Sequence, residues 1–283
     1  DYYNSSNPSG FMYTGFQCFA NITALVNATN PNGTYTVANI VPPLNKDNAY
    51  GGWTLVIVYA NPTLPSRNLT VFDGCAVVES GNAPVDVNIT GFLTPPTGPV
   101  SCELGAVVYD GDRGWTDSFS FKQNGAAAFY NLTPNATANL NDMWNSSIAY
   151  KGAVVTTRNP AFNNTLGYDA NIIDMPNAGN TQLGNSKTSA TVRFASPQEM
   201  IIAHILTTSI SQYNPTFAFD KTATDINGGA FLPGDSLLYQ INFTNSGNDS
   251  STNTVITDNL PAGTTYMPGS IRIGGVAKTD ALG

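Results

Sequence analysis

Short apolar runs separated by Gly, Pro, Asn and Asp recur along this chain of 283 residues, and they predict β-strands. The densest run is WTLVIVYA at residues 53–60, bounded by Gly51-Gly52 and Asn61-Pro62. Its length and β-branched content are typical of a strand buried on both faces, so we expect the core to be organised around it. Asp73-Gly74 predicts a tight turn between strands at 68–72 and 76–78.

The same pattern predicts further strands across most of the chain, at residues 33–41, 85–93, 101–110, 117–121, 126–130, 147–157, 168–174 and 189–194. Residues 21–26 predict a helical turn after an Asn cap. Ser196-Pro197-Gln198-Glu199 has the form of a helix start, but the Ile- and Thr-rich run after it favours a strand. We expect one helical turn that leads into a strand at 200–210.

Turn signals at intervals of 8–12 residues predict an all-β protein built as sandwiches. We expect a large, jelly-roll-like β-sandwich over residues 1–214, with a linker at 211–215. Shorter strands at 216–222, 236–244, 253–257 and 270–273 predict a small Ig-like sandwich over residues 215–283.

Charge is scarce in this composition. Residues of the DEKR set make up 11%, against roughly 25% in an average soluble protein, while hydrophobic residues make up 41%. The net charge of −8 argues against nucleic acid and anionic lipid as partners, because both require a basic face. No apolar run approaches the ~18 residues of a membrane helix, so we expect no membrane insertion in this segment.

Asn-x-Ser/Thr sequons are frequent, and they predict N-linked glycans on an extracellular protein. Attached sugar would supply the hydration that the missing charges do not. The alternative is that an Asn- and Thr-rich β-protein forms sequons by composition alone. The twelve asparagines are Asn4, Asn21, Asn27, Asn32, Asn68, Asn88, Asn131, Asn135, Asn145, Asn163, Asn242 and Asn248.

Three cysteines, Cys18, Cys75 and Cys102, are an odd number for a secreted chain. One disulfide and one free thiol is the simplest arrangement, and three pairings are open. We favour Cys75 with Cys102, since each lies near the start of a short strand in neighbouring segments. Without a Cys-x-x-Cys motif, and with one histidine, the chain has no Cys/His zinc set.

Catalytic signals are weak. The single histidine, His204, lies in the apolar run IIAHIL, where a structural role is favoured over a catalytic one. No P-loop, dinucleotide fingerprint or nucleophile elbow occurs, so we predict that the chain is not an enzyme. The best polar group is Asp110, Asp112 and Asp117, whose oxygens could hold calcium. The alternative is a solvent-exposed Asp/Gly turn.

Five segments resemble, in order, large secreted surface proteins of bacteria and archaea. They are GGWTLVIVYANPTLPSRNLTVFDG at 51–74, GFLTPPTGPV at 91–100, YDGDRG at 109–114, NTLGYDANIID at 164–174 and PGDSLLYQINFTNSGND at 233–249. In those proteins a β-rich domain precedes Ig-like conserved surface repeats of the DUF-eleven type. The resemblance implies a cell-surface location and one repeat at the C-terminal end of this chain, incomplete there.

We therefore predict a glycosylated extracellular structural protein, a subunit of a cell-surface filament, stalk or coat. Its partners would be copies of itself, joined head to tail by strand exchange, with residues 11–19 as the first candidate for the donated segment. The alternative is a carbohydrate-binding adhesin that contacts cell-surface glycans through Trp115 and Trp144.

Overall fold

The computed structural model describes residues 2–6, 12–26, 31–44, 49–61, 63–133, 141–212, 215–247, 251 and 254–280. The chain forms two compact units, residues 1–214 and 215–283. Regular structure in the described part is β-strand apart from two short 3-10 turns, Thr23–Leu25 and Ala178–Asn180. The predicted all-β fold class is confirmed. None of the described segments forms a helix long and apolar enough to cross a membrane.

The described residues of the first unit form twelve strands, arranged as two stacked sheets and one separate hairpin. They are β1 (Tyr2–Ser6), β2 (Met12–Phe16), β3 (Arg67–Glu79), β4 (Val85–Thr90), β5 (Cys102–Gly111), β6 (Ser118–Gln123), β7 (Tyr130–Asn131), β8 (Ile148–Tyr150), β9 (Ala153–Val154), β10 (Gly167–Asp174), β11 (Ser189–Ala195) and β12 (Met200–Ser211). The larger sheet has the order β3-β12-β5-β10-β8-β9, and the smaller has the order β4-β11-β6-β7. β1 pairs with β2 alone.

Eight of these strands form a jelly roll. When β3, β4, β5, β6, β7, β10, β11 and β12 are counted as first to eighth, the sheet orders become 1-8-3-6 and 2-7-4-5. This is the double Greek key of a jelly roll. Pairs among these eight strands are antiparallel, and β8 joins the edge in parallel with β10.

The core lies between the two sheets. Alternate residues of β5, such as Leu104 and Val108, point inward and meet Phe119 and Phe194 of the smaller sheet. Trp144 enters from the segment before β8 and stacks on Phe194 with a centroid distance of 5.8 Å. Alternation of apolar and polar residues thus places one face of each sheet in the core, as a sandwich requires.

The predicted central strand at residues 53–60 is wrong. These residues have no regular secondary structure and are all exposed; Ile57 is 70% and Tyr59 is 68% exposed. β12, which is equally rich in β-branched residues, instead occupies an interior position of the larger sheet, with β3 and β5 on its two sides. Near the start of the segment, Thr54 Oγ1 lies 3.0 Å from the Tyr168 hydroxyl.

The predicted turn at Asp73-Gly74 is also wrong, because β3 runs through it. His204 of β12 stands opposite both Gly74 and Cys75, since Ala203 pairs with Ala76 and Ile205 with Asp73. A β-bulge therefore absorbs the turn-prone residues without ending the strand.

Two other local predictions fail and one is confirmed. Described residues within 33–41 form no strand and are exposed. Residues 197–199 form a bend without a helical turn, in which the Ser196 hydroxyl donates to the Glu199 carbonyl at 2.9 Å. The helical turn after Asn21 is present as Thr23–Leu25, and the Asn21 side chain accepts the Thr23 N–H at 3.0 Å.

Within the residues described for the second unit there are four strands, β13 (Phe217–Asp225), β14 (Leu237–Asn245), β15 (Arg272–Ile273) and β16 (Val276–Ala277). β13 pairs with β14, and β15 pairs with β16, each as a two-stranded antiparallel ladder. Residues 254–257, predicted as part of a strand, form none, and Asn253 lies outside the described residues. No described residue of this unit is buried. Its Ig-like character stays a prediction.

Candidate functional site

Three loops of the first unit bring acidic side chains together, and we call this group of Asp112, Asp117, Asp142 and Glu199 the acidic end. Asp112 and Asp117 lie between β5 and β6, Asp142 lies before β8, and Glu199 lies between β11 and β12. Electrostatic interactions join Asp117 to Asp142 and to Glu199, and Glu199 to Asp112. The strand order of the jelly roll thus brings these distant positions together.

Two buried aspartates organise the segment 143–147 beside this group. Asp117 is fully buried, and its Oδ1 accepts the N–H groups of Met143 at 2.7 Å and Trp144 at 2.9 Å. Asp169 is fully buried too, and its carboxylate accepts the N–H groups of Ser146 and Ser147 at 3.2 and 2.8 Å. These bonds satisfy a run of backbone donors that no strand pairs, and they direct Trp144 into the core.

Gly111 is required where this segment crosses the end of β5. A Cβ atom at this position would lie 2.4 Å from Asp169 Oδ2 and 2.6 Å from the Trp144 carbonyl oxygen. The Gly111 carbonyl accepts the Ser146 hydroxyl at 2.7 Å. Any side chain here would push the clamped segment away from the sheet.

Burial dominates the electrostatics of the acidic end. It raises the pKa of Glu199 to about 10, helped by the contact with the Asp117 carboxylate. It raises the pKa of Asp117 to about 6, against the lowering effect of the bonds from Glu199, Trp144 and Met143. Glu199 therefore keeps its proton at neutral pH and donates it to Asp117, because two buried carboxylates in contact cannot both be charged.

Apart from the proton that Asp117 shares with Glu199, three carboxylate oxygens of the acidic end have no hydrogen-bond donor in the described part of the chain. They are Asp117 Oδ2, Asp142 Oδ1 and Glu199 Oε1, and all three are closed to solvent. The other oxygen of Asp142 accepts the Gly114 N–H at 3.1 Å. Buried acceptors without donors are costly, so such a group needs a proton or a cation nearby.

The predicted calcium ligands are not brought together as a set. Asp110 is hydrogen-bonded to the Tyr50 hydroxyl, Asp112 is exposed, and Asp117 is buried. Among the described residues, no group of three or more His, Cys, Asp or Glu side chains is arranged to hold a metal ion. The sequence analysis missed Asp142 and Glu199, although the Ser196-Pro197-Gln198-Glu199 pattern had marked Glu199 as a residue with a local role.

The structure contradicts the predicted Cys75–Cys102 disulfide. Both cysteines are free. Ile210 of β12 pairs with Cys102 on one side and with Asn68 on the other, so Cys75 lies seven residues (75 − 68) further along β3. At about 3.3 Å per residue the offset is over 20 Å, and a disulfide needs Cα atoms within about 7 Å. Cys18 is also free, and it is exposed.

The aromatic and histidine positions divide into surface and interior. Trp144 is 0% exposed, so its predicted contact with a glycan is wrong, whereas Trp115 is 50% exposed. His204 packs edge-on to Tyr109 at a centroid distance of 4.8 Å. Burial lowers the pKa of His204 to about 4, so the ring is neutral at pH 7 and packs as an apolar residue.

The structure describes the side chains of eight of the twelve sequon asparagines. Asn68 and Asn145 are half-buried, and the other six are exposed: Asn21, Asn32, Asn88, Asn131, Asn163 and Asn242. Asn145 is held on both sides, because it donates to the Asp142 carbonyl at 3.2 Å and accepts the Ser147 hydroxyl at 2.6 Å. The side chain of Asn4, and residues Asn27, Asn135 and Asn248, lie outside the described set.

Comparison of the chain with protein-family models, with curated proteins and with solved structures gives no match. The jelly-roll strand order, the acidic end and the uncovered apolar segments are therefore the observations on which a function is argued.

Proposed function

We propose that this chain is a glycosylated extracellular structural protein, a subunit of a cell-surface filament, stalk or coat that associates with copies of itself. The observation that carries the proposal is that two β-prone elements, one in each unit, expose large apolar side chains among the described residues.

The first element is the segment 53–60. Trp53, Ile57, Val58 and Tyr59 are 49%, 70%, 61% and 68% exposed. Exposure of contiguous large apolar side chains is costly in water, and on soluble proteins it marks an interaction surface. An extended segment of β-branched residues has the geometry and propensity to add to the edge of a sheet.

The second element is one face of the β13–β14 hairpin. Its register places Phe219 opposite Phe243 and Ala223 opposite Tyr239, while Asp220, Thr222 and their partners lie on the other face. Lys221 lies between the two pairs on the aromatic face, where its Nζ is 2.6 Å from Asp258 Oδ1. Phe219 is 76% and Phe243 is 40% exposed. A two-stranded hairpin is marginal in water without further strands or a covering layer. The outer backbone groups of β13 and β14 are a template for pairing with an added strand.

These elements support association by strand addition between copies. In the part of the chain that the structure describes, each copy carries an extended apolar segment outside any sheet and a hairpin that exposes Phe219 and Phe243. Because the two patches differ, the contact is heterologous, and repetition of a heterologous contact builds an open chain of subunits. The segment 53–60 replaces residues 11–19 as the first candidate donor, since Met12–Phe16 is already paired with Tyr2–Ser6.

Light scattering after size-exclusion chromatography, with negative-stain electron microscopy of the same fractions, tests the proposal. We expect association that increases with concentration. Ile57→Asp and Phe219→Asp should each abolish it, because each places a charge in the apolar contact. Thr222→Asp, on the polar face of the same hairpin, should leave it intact. A protein that is monomeric at every concentration, or equal association of all variants, would contradict the proposal.

The exposed Trp115 favours a second candidate function, a carbohydrate-binding adhesin. This side chain is half exposed on the loop of the acidic end, and exposed aromatic rings provide the flat apolar surface on which sugars stack. A glycan array tests it: signal that Trp115→Ala removes, while Phe162→Ala at another exposed site retains it, would support an adhesin.

A further inference from the structure

The outer face of the smaller sheet carries an aromatic ring that contacts two cations. The ring centroid of Phe129, just before β7, lies 4.5 Å from Lys122 Nζ and 4.0 Å from Arg193 Cζ. Lys122 belongs to β6 and Arg193 to β11, and the residues next to them, Phe121 and Phe194, are buried in the core. Alternate residues of a strand point to opposite faces. Both cations, and the ring they contact, therefore lie on the face turned away from the core.

These contacts fix the ring in place. Arg193 is itself held by a bidentate pair with Asp86, in which Nε and Nη2 donate to Oδ1 and Oδ2 at 2.7 and 2.8 Å. A cation over an aromatic face is attracted by the ring's π electrons, so the two contacts oppose rotation of the Phe129 side chain. Phe129 is nevertheless only half-buried. Part of the ring surface therefore stays open to a group beside it on the sheet.

A sequon asparagine lies beside this ring. Asn131 is exposed, and it pairs with Ser120 of β6, which pairs in turn with Arg193. Tyr130, between Phe129 and Asn131, packs against the core. The side chains on either side of Tyr130 therefore both point outward, on one face of the sheet. Residues two apart in a strand are separated by about 7 Å, which is within reach of a sugar joined to Asn131 Nδ2.

We propose that Phe129 binds the first pyranose ring of an N-linked glycan on Asn131, so that the sugar covers the open part of the aromatic ring. This contact depends on the proposed glycosylation of the chain. In that step a host glycosyltransferase moves the glycan from a sugar-phosphate donor. Asn131 Nδ2 bonds to the anomeric carbon, the C–O bond to the donor phosphate breaks, and one amide proton is released.

The attraction between sugar and ring has a simple physical cause. The C–H groups of a pyranose are apolar and slightly positive, while the face of an aromatic ring is slightly negative, so the two attract each other and exclude water. Because the cations fix the Phe129 ring before the sugar arrives, little side-chain freedom is lost in the contact. The glycan then stabilises the first unit in addition to hydrating its surface.

Other sequons lack this arrangement. Among the eight whose asparagine side chains the structure describes, one other has an aromatic residue two positions before the asparagine, namely Asn21 with Phe19. Asn21 precedes a 3-10 turn and its side chain caps that turn, so the two residues share no strand face. Asn88 points outward from the smaller sheet too, but Asp86 takes the place of the aromatic residue there. Asn88 is therefore a natural control.

A double-mutant cycle between the sugar and the ring tests the contact, in the full chain secreted from a host that attaches N-acetylglucosamine-linked glycans. Thr133→Ala removes the sequon but keeps Asn131, and Phe129→Leu removes the ring but keeps an apolar side chain. Tryptophan fluorescence follows the first unit, which contains all three tryptophans. We expect the fall in thermal midpoint caused by Thr133→Ala to be about 2–4 °C larger with Phe129 present than with Phe129→Leu.

Two controls isolate the sugar. The same cycle in protein made without glycans should show no such difference, which excludes a direct contact between the two substituted side chains. Thr90→Ala removes the Asn88 sequon by the same substitution on the same face, and its effect should not depend on Phe129. A Thr90→Ala effect that depends on Phe129 as strongly as that of Thr133→Ala overturns the proposal, because general crowding by sugar would then explain both.

Glycopeptide mapping of the same samples separates the remaining outcomes. If Asn131 carries sugar and Thr133→Ala has the same effect with and without Phe129, the contact is refuted while the proposed surface role stands. Sugar on Asn88 and none on Asn131 refutes the contact as well. A chain that carries sugar at no sequon contradicts the proposed glycosylation itself, and the contact with it.

Discussion

The shared proton of Asp117 and Glu199 makes the stability of the first unit depend on pH. Burial raises the pKa of Glu199 from 4.5 to about 10 in the folded state. A raised pKa contributes stability that is complete below the unfolded value and is lost as the pH rises through the folded value. Between pH 7 and 8 Glu199 therefore holds about one proton more in the folded chain than in the unfolded chain, and this proton should make the free energy of unfolding fall as the pH rises.

The size of the effect follows from linkage. One full proton corresponds to about 1.4 kcal/mol per pH unit, so we expect a loss of roughly 1 kcal/mol from pH 7 to pH 8. His204 contributes little to the change between pH 7 and pH 8. Burial lowers its pKa to about 4 in the folded state, and an unfolded histidine titrates near 6.5, below this range. It also lies largely below the titration of the unfolded cysteine thiols.

Urea unfolding in chelator at pH 7 and pH 8, followed by tryptophan fluorescence, measures the loss. Glu199→Gln should reduce the dependence of the free energy of unfolding on pH by the part that this proton contributes. The reason is that the amide N–H of the glutamine can donate to Asp117 at every pH. Glu79→Gln makes the same change where the carboxylate accepts the Asn82 amide at 2.7 Å, and it should keep the slope. An equal slope in Glu199→Gln and the unsubstituted protein would refute the shared proton.

Three further predictions concern packing, thiols and glycans. Gly111→Ala should lower the free energy of unfolding by roughly 2–4 kcal/mol in denaturant titration, since its Cβ would lie 2.4 Å from Asp169. Gly125→Ala is the control: its Cβ would meet no atom within 4 Å, and its φ of 86° should cost about 1 kcal/mol. Equal losses in the two variants would contradict the proposed role of Gly111 beside the 143–147 segment. Alkylation without reductant should label Cys18 first and Cys102 only after unfolding, because Cys18 is exposed and Cys102 is buried. An intact mass about 2 Da below that of the reduced chain, the loss of two thiol hydrogens, would show a disulfide and contradict free cysteines. Glycopeptide mapping of protein from a glycosylating host should find sugar on the six exposed sequon asparagines and none on Asn145. The side-chain amide of Asn145 donates one hydrogen bond and accepts another within the protein. A glycan on Asn145 would contradict these two hydrogen bonds.

Strands with strong alternation could be predicted from the sequence. β4, β5, β10 and β11 lie within or near the predicted ranges, because alternation follows directly from one buried and one outward face. Pairing partners could not be predicted in this way. Residues 53–60 and β12 have similar β-propensity. Propensity alone does not specify which of the two segments pairs inside the larger sheet and is buried there.

Most of the acidic end could not be predicted from the sequence. Asp117 and Glu199 are far apart in the chain, and the fold over β6 to β11 brings them into contact. Local spacing instead favoured Asp110, which is directed to Tyr50. The predicted disulfide is wrong for a related reason. Cys75 and Cys102 are near each other in sequence, but this does not specify how β3 and β5 align on the two sides of β12.

Hydrogen–deuterium exchange of residues 53–60 as a function of protein concentration tests the central claim most directly. These residues pair with no strand in the part of the chain that the structure describes, so their amides should exchange rapidly in dilute protein. If copies associate by strand addition, the same amides should become protected as the concentration rises, together with those at an outer edge of β13 or β14. Exchange of residues 53–60 that stays rapid at every concentration, in a sample that light scattering shows to be associated, would contradict the account.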